Sequence, residues 1–390
     1  MRIKKVFIKN LTVFEENEIE FSKGINILLG TNGVGKTHLL KFLYAFFRVS
    51  GDKRMSYSGG LLHGKTFDVF GVLYRDLIRD FMKESYVIAH TPLDFDNEED
   101  ILAEIMPDIR ECVVASNHEK IQKKCSDMCS YFYITPSLEQ GKEPSGLNRV
   151  EFFLLNGKIS AIKKSHVDIF YGSKIKSAFI MPKEFLSHSK GFLPLAGQYV
   201  LPFDITYTDI LEKVQMTPVR ELSDISDSLF EILYDIIDGE VKYTETGQFY
   251  VEKKDGRVVP FELEAEGYRK FGLLMQLIKN GWLDEGSLLF WDEPEANINP
   301  ELIPKLVDFI CMLSRSGVQI FLATHNYNVA KWFELMCSQD ESLMFHNMTM
   351  TNNGVSIDST QRFPETNNSI IKADVELLEK IYKDEIWGQL

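Results

Sequence analysis

An apolar run, Ile25 to Leu29 (INILL), breaks at once into GTNGVGKT over Gly30 to Thr37, and no other stretch limits the fold as tightly. The string is a full match to the phosphate-binding loop G-x-x-x-x-G-K-[ST]. Its glycines let backbone N–H groups turn inward around phosphate oxygens, the lysine reaches the outer phosphates, and the hydroxyl ligates magnesium. Beyond it Leu39, Leu40, Phe42, Leu43, Phe46 and Phe47 recur at helical spacing, which predicts a helix over 36–47. Strand, glycine-rich turn and helix in that order predict an α/β P-loop core, its nucleotide cradled by Gly30, Thr31, Asn32, Gly33, Val34, Gly35, Lys36, Thr37 and His38.

A second string has the matching chemistry. Leu288 to Pro294 (LLFWDEP) is an apolar strand that ends in two acids and stops at proline. Such a strand delivers Asp292 to the sheet edge, where it can hold the magnesium already bound through Thr37, while Glu293 polarises the attacking water. More than half the chain separates Lys36 from Asp292. Something large is therefore inserted between the two halves of the core.

Alternating apolar and charged residues predict strands over 1–9 and 11–21 with a turn at Asn10, and a helical pattern with acidic interruptions runs from Val72 to Ser130. Strands return over 148–181 with a turn at Asn156-Gly157, helices over 205–237, and a hairpin about Lys254 to Gly256. Helices over 267–282 and 300–314 alternate with buried strands over 288–291 and 318–323, which implies a mostly parallel sheet. The expected division is 1–70 (core with the loop), 71–145 (helical insertion), 146–195 (return to the β core), 196–262 (helical lobe) and 263–390 (second half of the core).

The 390 residues, 44% hydrophobic and 26% charged, suit two or three globular units, and no stretch approaches a membrane span, so a cytoplasmic protein without a membrane partner is expected. Five scattered cysteines fit a reducing compartment better than a disulfide framework. Cys125 and Cys129 stand one helical turn apart, as ordinary thiols or half of a metal site. A net charge of -14 argues against a protein that coats nucleic acid. Lys158, Lys163, Lys164, Lys174 and Lys176 make a local exception, read as a solvated face or a nucleic-acid contact. Phe14 reads as core or as an adenine stack.

Taken with 10–14, AEGYRK (Ala265 to Lys270), WDEPEANINP and ATHN (Ala323 to Asn326), the loop resembles the OLD-type and SMC-like branch of ABC-class ATPases across nearly the whole chain. Within that branch it looks like the small bacterial ATPases of antiphage defence and abortive infection, as in Septu, retron and PARIS loci. The resemblance implies an ABC-class head with a mixed sheet core, an antiparallel β subdomain and an inserted helical lobe. It implies ATP and Mg2+ as ligands and hydrolysis with Lys36, Glu293 and His325 as catalytic residues. Glu266 and Gly267 would meet the γ phosphate held by a second copy, making a homodimer or higher homo-oligomer.

The family commonly has serine where Ala265 stands, which leaves the hydrolysis rate open. Lys183, Glu184 and Ser187 occupy the place of a coupling glutamine, and Glu184 is read as a solvated helix start or as a magnesium or water contact. Glu295, Asn297 and Asn299 are expected to face the partner copy. The stretch after His325 is short for a Toprim nuclease domain, so a companion toxin or nuclease would act as effector. An SMC-like DNA-repair ATPase and an ATP-gated scaffold of negligible turnover are the competing expectations. Nucleic acid is not required by these motifs.

Overall fold

The computed structural model describes residues 2–11, 13–50, 129–137, 149–155, 158–165, 175–199, 201, 203, 205–244, 247–337, 342–352, 354–363, 372, 376 and 379–382. The chain divides into two compact units, 1–21 with 45–175 and 350–356, and 22–44 with 176–349 and 357–390.

In the first unit, β1 (Arg2–Leu11), β2 (Phe14–Glu20), β4 (Cys129–Ser137), β5 (Arg149–Leu155) and β6 (Lys158–Ser165) form an antiparallel sheet in the order β2-β1-β4-β5-β6. Ile3, Val6 and Ile8 of β1 and Phe14 and Ile19 of β2 are buried. The connection pairs Leu11 with Phe14, so the turn lies beyond the expected Asn10. Phe14 is therefore a core side chain of this unit. Residues 129–137, expected within the helical insertion, are a strand, and Cys129 shares no helix with Cys125. Residues 51–128, with the rest of that insertion and Cys125, lie outside the described residues.

The second unit is built on β7 (Ser177–Ile180), β11 (Leu288–Asp292), β12 (Gln319–Thr324), β3 (Ile25–Leu29) and β13 (Leu343–Thr351), paired in parallel in that order, with β14 (Gly354–Thr360) beside β13. Every residue of β3, β7, β11 and β12 is buried, because helices cover a parallel sheet on both faces. Parallel pairing sends the carboxyl ends of β7, β11, β12 and β3 to one edge, the usual ligand edge of an open α/β sheet. The fold is an α/β P-loop fold with a mixed set of sheets.

Around it lie α1 (Lys36–Ser50), α2 (Phe192–Gln198), α3 (Ile205–Val214), α4 (Asp224–Ile237), α5 (Glu266–Lys279), α6 (Ile303–Arg315) and α7 (Tyr327–Cys337). The lobe before α5 is not purely helical: β8 (Gly239–Tyr243), β9 (Phe249–Lys253) and β10 (Val258–Pro260) form a small antiparallel sheet in it. No helix among the described residues is long and apolar enough to cross a membrane.

Cys311 of α6 and Cys337 at the end of α7 form a disulfide, contrary to the expectation of free thiols. Both are buried. Their separation of 26 residues carries no local signal; packing of α6 against α7 brings them together.

Candidate functional site

The cradle is made by backbone that a side chain would spoil. Gly30, Gly33 and Gly35 have φ of 151°, 85° and 92°, the region that favours glycine. A Cβ on Gly30 would lie 2.5 Å from the Met348 carbonyl oxygen, so β13 leaves that position no room for a side chain. At Gly33 nothing lies within 4 Å, an open rim where a phosphate can approach the backbone.

Lys36 opens α1 and folds back over the loop. Its Nζ donates to the Gly30 carbonyl at 2.7 Å and the Thr31 carbonyl at 2.9 Å. Burial holds its pKa below the ordinary lysine value, opposed by the nearby Asp292, Glu293 and Glu295. Thr37 Oγ1 donates to Asp292 Oδ2 at 2.7 Å. Asp292 is buried, and burial pushes its carboxyl above the usual range, against the Thr37 hydrogen bond. A hydroxyl and a carboxylate at this separation are the hard oxygen donors that suit magnesium, which takes few protein ligands and leaves the rest to phosphate and water. These two residues would hold it.

Glu293 follows the strand at φ 47°, which turns its carboxylate out of the line of β11. Its N–H is tied to the Ala323 carbonyl of β12 at 2.8 Å. Its Oε1 lies 2.9 Å from His325 Nδ1, with both side chains partly exposed. Two adjacent parallel strand ends thus present a carboxylate and an imidazole as one pair.

Ala265 caps α5 with extended backbone and makes no side-chain cap, so the first-turn amides have no side-chain acceptor there. Gly267 packs on its own chain: a Cβ there would meet Leu302 Cδ1 at 3.4 Å and the Ile298 Cα at 3.7 Å. Asn297 Nδ2 donates to Glu266 Oε1 at 2.9 Å, and Asn299 Oδ1 accepts from the Glu301 N–H at 3.2 Å. Of the three residues expected to face a partner, Glu295 is turned inward. Its Oε1 accepts from the Thr324 hydroxyl, its Oε2 is buried without a hydrogen bond, and burial raises its pKa.

Glu184 is buried in the turn after β7. Its carboxylate takes the Leu186 N–H, the Ser187 N–H at 3.2 Å and the Ser187 hydroxyl at 2.9 Å, and Arg269 of α5 faces it at 3.5 Å. It closes the turn after β7. Burial, the dominant influence, raises its pKa. Sequence reasoning gave Lys270 no role. It is 1% exposed, its Nζ donates to the main-chain carbonyls of Glu293 at 3.3 Å and Pro294 at 3.2 Å, and burial lowers its pKa to about 8. A lysine amid the apolar face of a predicted helix was the available signal.

A phosphate cradle, a hydroxyl–carboxylate pair and an acid on one sheet edge define a P-loop ATPase. Two family models overlap on the chain: an AAA ATPase domain over residues 1–189 and "AAA domain, putative AbiEii toxin, Type IV TA system" over residues 154–330. The chain is an ATPase, similar over these two stretches to AAA ATPase domains.

Among curated relatives, the DNA replication and repair protein RecF of Azobacteroides pseudotrichonymphae is 26% identical over 247 residues, 60% of this chain and 65% of its own length. An ATP/GTP phosphatase of Helicobacter pylori is 22% identical over 345 residues, 83% of this chain and 85% of that protein. Among solved structures, the SMC head domain from Thermotoga maritima covers 92% of this chain and 99% of its own at 15% identity, with a TM-score of 0.42.

Proposed function

We propose that this ATPase works as a head-to-tail pair, in which the cradle of one copy and the start of α5 of the other close on one ATP, and that pairing controls a companion effector in antiphage defence. The observation that carries the reading is the uncapped start of α5 in the chain that bears the complete cradle. Helix N-termini without a side-chain acceptor suit anions, and a second copy's γ phosphate supplies one.

In hydrolysis Lys36 and the loop amides neutralise the triphosphate, Thr37 and Asp292 hold the magnesium site, and Glu293 orients water toward the γ phosphate. Magnesium, when bound, offsets charge on the β and γ oxygens. His325 keeps the Glu293 carboxylate aimed and senses the γ phosphate. ATP binding energy becomes pairing energy, which a companion protein can read.

The family description that mentions AbiEii and a toxin–antitoxin system supports an effector partnership. Light scattering tests the pairing. Glu293→Gln with Mg2+ and ATP should shift from one copy to two, and Ala265→Glu added to it should stay single, because a carboxylate at the helix start repels phosphate. Glu293→Gln remaining single at saturating ATP overturns the pairing. Cells carrying the gene with its genomic neighbours should resist phage, and Lys36→Ala should abolish that; equal plating on both strains overturns the defence role.

A DNA-repair ATPase is the second reading, favoured by the RecF relative. ATPase activity stimulated by DNA would select it.

A further inference from the structure

Lys270 is a buried charged residue outside the cradle. Buried lysines are rare because removing an ammonium from water is costly, and a methionine of similar length would fill the same space without that cost. Nζ donates to the Glu293 and Pro294 carbonyls, at 3.3 and 3.2 Å, and Glu295, Glu266, Glu293 and Glu184 lie near enough to favour its charge. The Glu293 carbonyl also accepts the Ala296 N–H at 3.0 Å, and the Glu293 N–H is held by β12. Both sides of a left-handed glutamate peptide are therefore fixed, and only side-chain torsions remain to aim the carboxylate.

We propose that Lys270 is a positioning residue for Glu293, joining the glycine-bearing helix α5 to the peptide that carries the hydrolytic carboxylate. The inference rests on the reading of Glu293 as the group that orients water. Lys270 lies about one turn into α5, whose start is the proposed docking point for the second copy's phosphate. Gly267 of the same turn rests on Ile298 and Leu302, so this turn grips the segment after β11 at two places. A shift of the helix start on pairing moves Lys270 with it and re-aims Glu293, so hydrolysis waits for the second copy.

Three variants separate positioning from core filling. Lys270→Met removes both hydrogen bonds at similar length, Lys270→Gln keeps a neutral donor, and Lys270→Arg keeps the charge. Single-turnover hydrolysis should fall on the order of 10–100-fold in Lys270→Met, in line with small misplacements of a catalytic group. Lys270→Gln should fall less, and Lys270→Arg should recover most of the loss. The Kd for a fluorescent ATP analogue should stay within about twofold throughout, since the cradle is untouched.

Rate and affinity falling in parallel with the melting temperature, or a Lys270→Met rate equal to wild type, overturn the proposal. If Lys270→Met does not fold, the other two decide: Arg faster than Gln at equal Kd supports it, and equal rates refute it. Glu293→Gln is run alongside. If that variant hydrolyses at the wild-type rate, the reading of Glu293 fails, which is a different failure from a silent Lys270.

Discussion

The Thr37 hydroxyl donates to Asp292 Oδ2 at 2.7 Å, joining the first turn of α1 to the last residue of β11. Asp292 is held there at a cost, because burial disfavours its charged form. Asp292→Asn keeps an acceptor for Thr37 and removes that charge. The nucleotide-free protein should melt at the same temperature or higher, while Mg2+-dependent ATP hydrolysis falls by at least ~10²-fold. A thermal melt and a phosphate-release assay check the pair of outcomes, and a lower melting temperature would show that the carboxylate stabilises the empty site.

His325 and Glu293 meet at 2.9 Å on adjacent strand ends. His325→Ala leaves Glu293 Oε1 free to rotate, so kcat should fall on the order of 10-fold while ATP affinity holds, the signature of an interaction made in the transition state. His325→Asn, which keeps a donor near Oε1, should recover part of the loss. A rise in the Kd for ATP equal to the loss in kcat would instead place His325 in ground-state binding.

Ala265 predicts a gain of function. Serine at a helix N-cap accepts from the N2 or N3 amide, and replacing such a residue by alanine costs ~1 kcal/mol. Ala265→Ser should therefore raise the melting temperature of the empty protein. It should also lower the ATP concentration at which Glu293→Gln pairs, if the hydroxyl reaches the second copy's phosphate. Stabilisation without any change in the pairing midpoint, read by light scattering across an ATP titration, would confine the serine to capping.

What the sequence made legible was local. INILLGTNGVGKT holds its strand, cradle and helix in one unbroken string, and LLFWDEP its strand and terminal acids, so both needed only periodicity and motif. Misreadings arose where a partner comes from a distant segment. Glu295 was read as facing outward, yet its Thr324 partner lies 29 residues on and turns it inward. Glu184 was read without the Arg269 of the distant α5 that faces its buried carboxylate. Cys311 and Cys337 become neighbours only through helix packing, and Lys270 finds its carbonyls 23 and 24 residues downstream. The hairpin about Lys254 to Gly256 was legible from its turn, and β9 and β10 pair around it, while β8 joins them as a third strand.

His346 of β13 ties part of the stability to pH. It is 0% exposed, with Nδ1 2.8 Å from the Ser359 hydroxyl and Nε2 3.2 Å from Asn26 Oδ1, an oxygen that also accepts the Ser22 N–H. The Asn26 oxygen only accepts, so Nε2 carries the proton and Nδ1 accepts from Ser359. A second proton on Nδ1 would make the Ser359 hydroxyl the acceptor, but burial disfavours the charged ring and lowers the pKa to about 3 from an ordinary 6.5. The unfolded chain binds that proton near pH 6.5, so the unfolded state gains as pH falls below it.

The contribution is fully present above pH 6.5 and is lost at up to ~1.4 kcal/mol per pH unit between about 6.5 and 3. Buried Asp292, Glu184 and Glu295 act with the opposite sign, since raised carboxyl pKa values favour the folded state as pH falls. The His346 effect is therefore read as a difference between wild type and His346→Gln. Urea unfolding at pH 7.5 should show the variant less stable. The gap should narrow steadily toward pH 5 and reverse if the lost hydrogen bonds cost less than the lost titration. A gap that stays constant from pH 7.5 to 5 would mean that His346 takes up its proton in the folded protein at an ordinary pH.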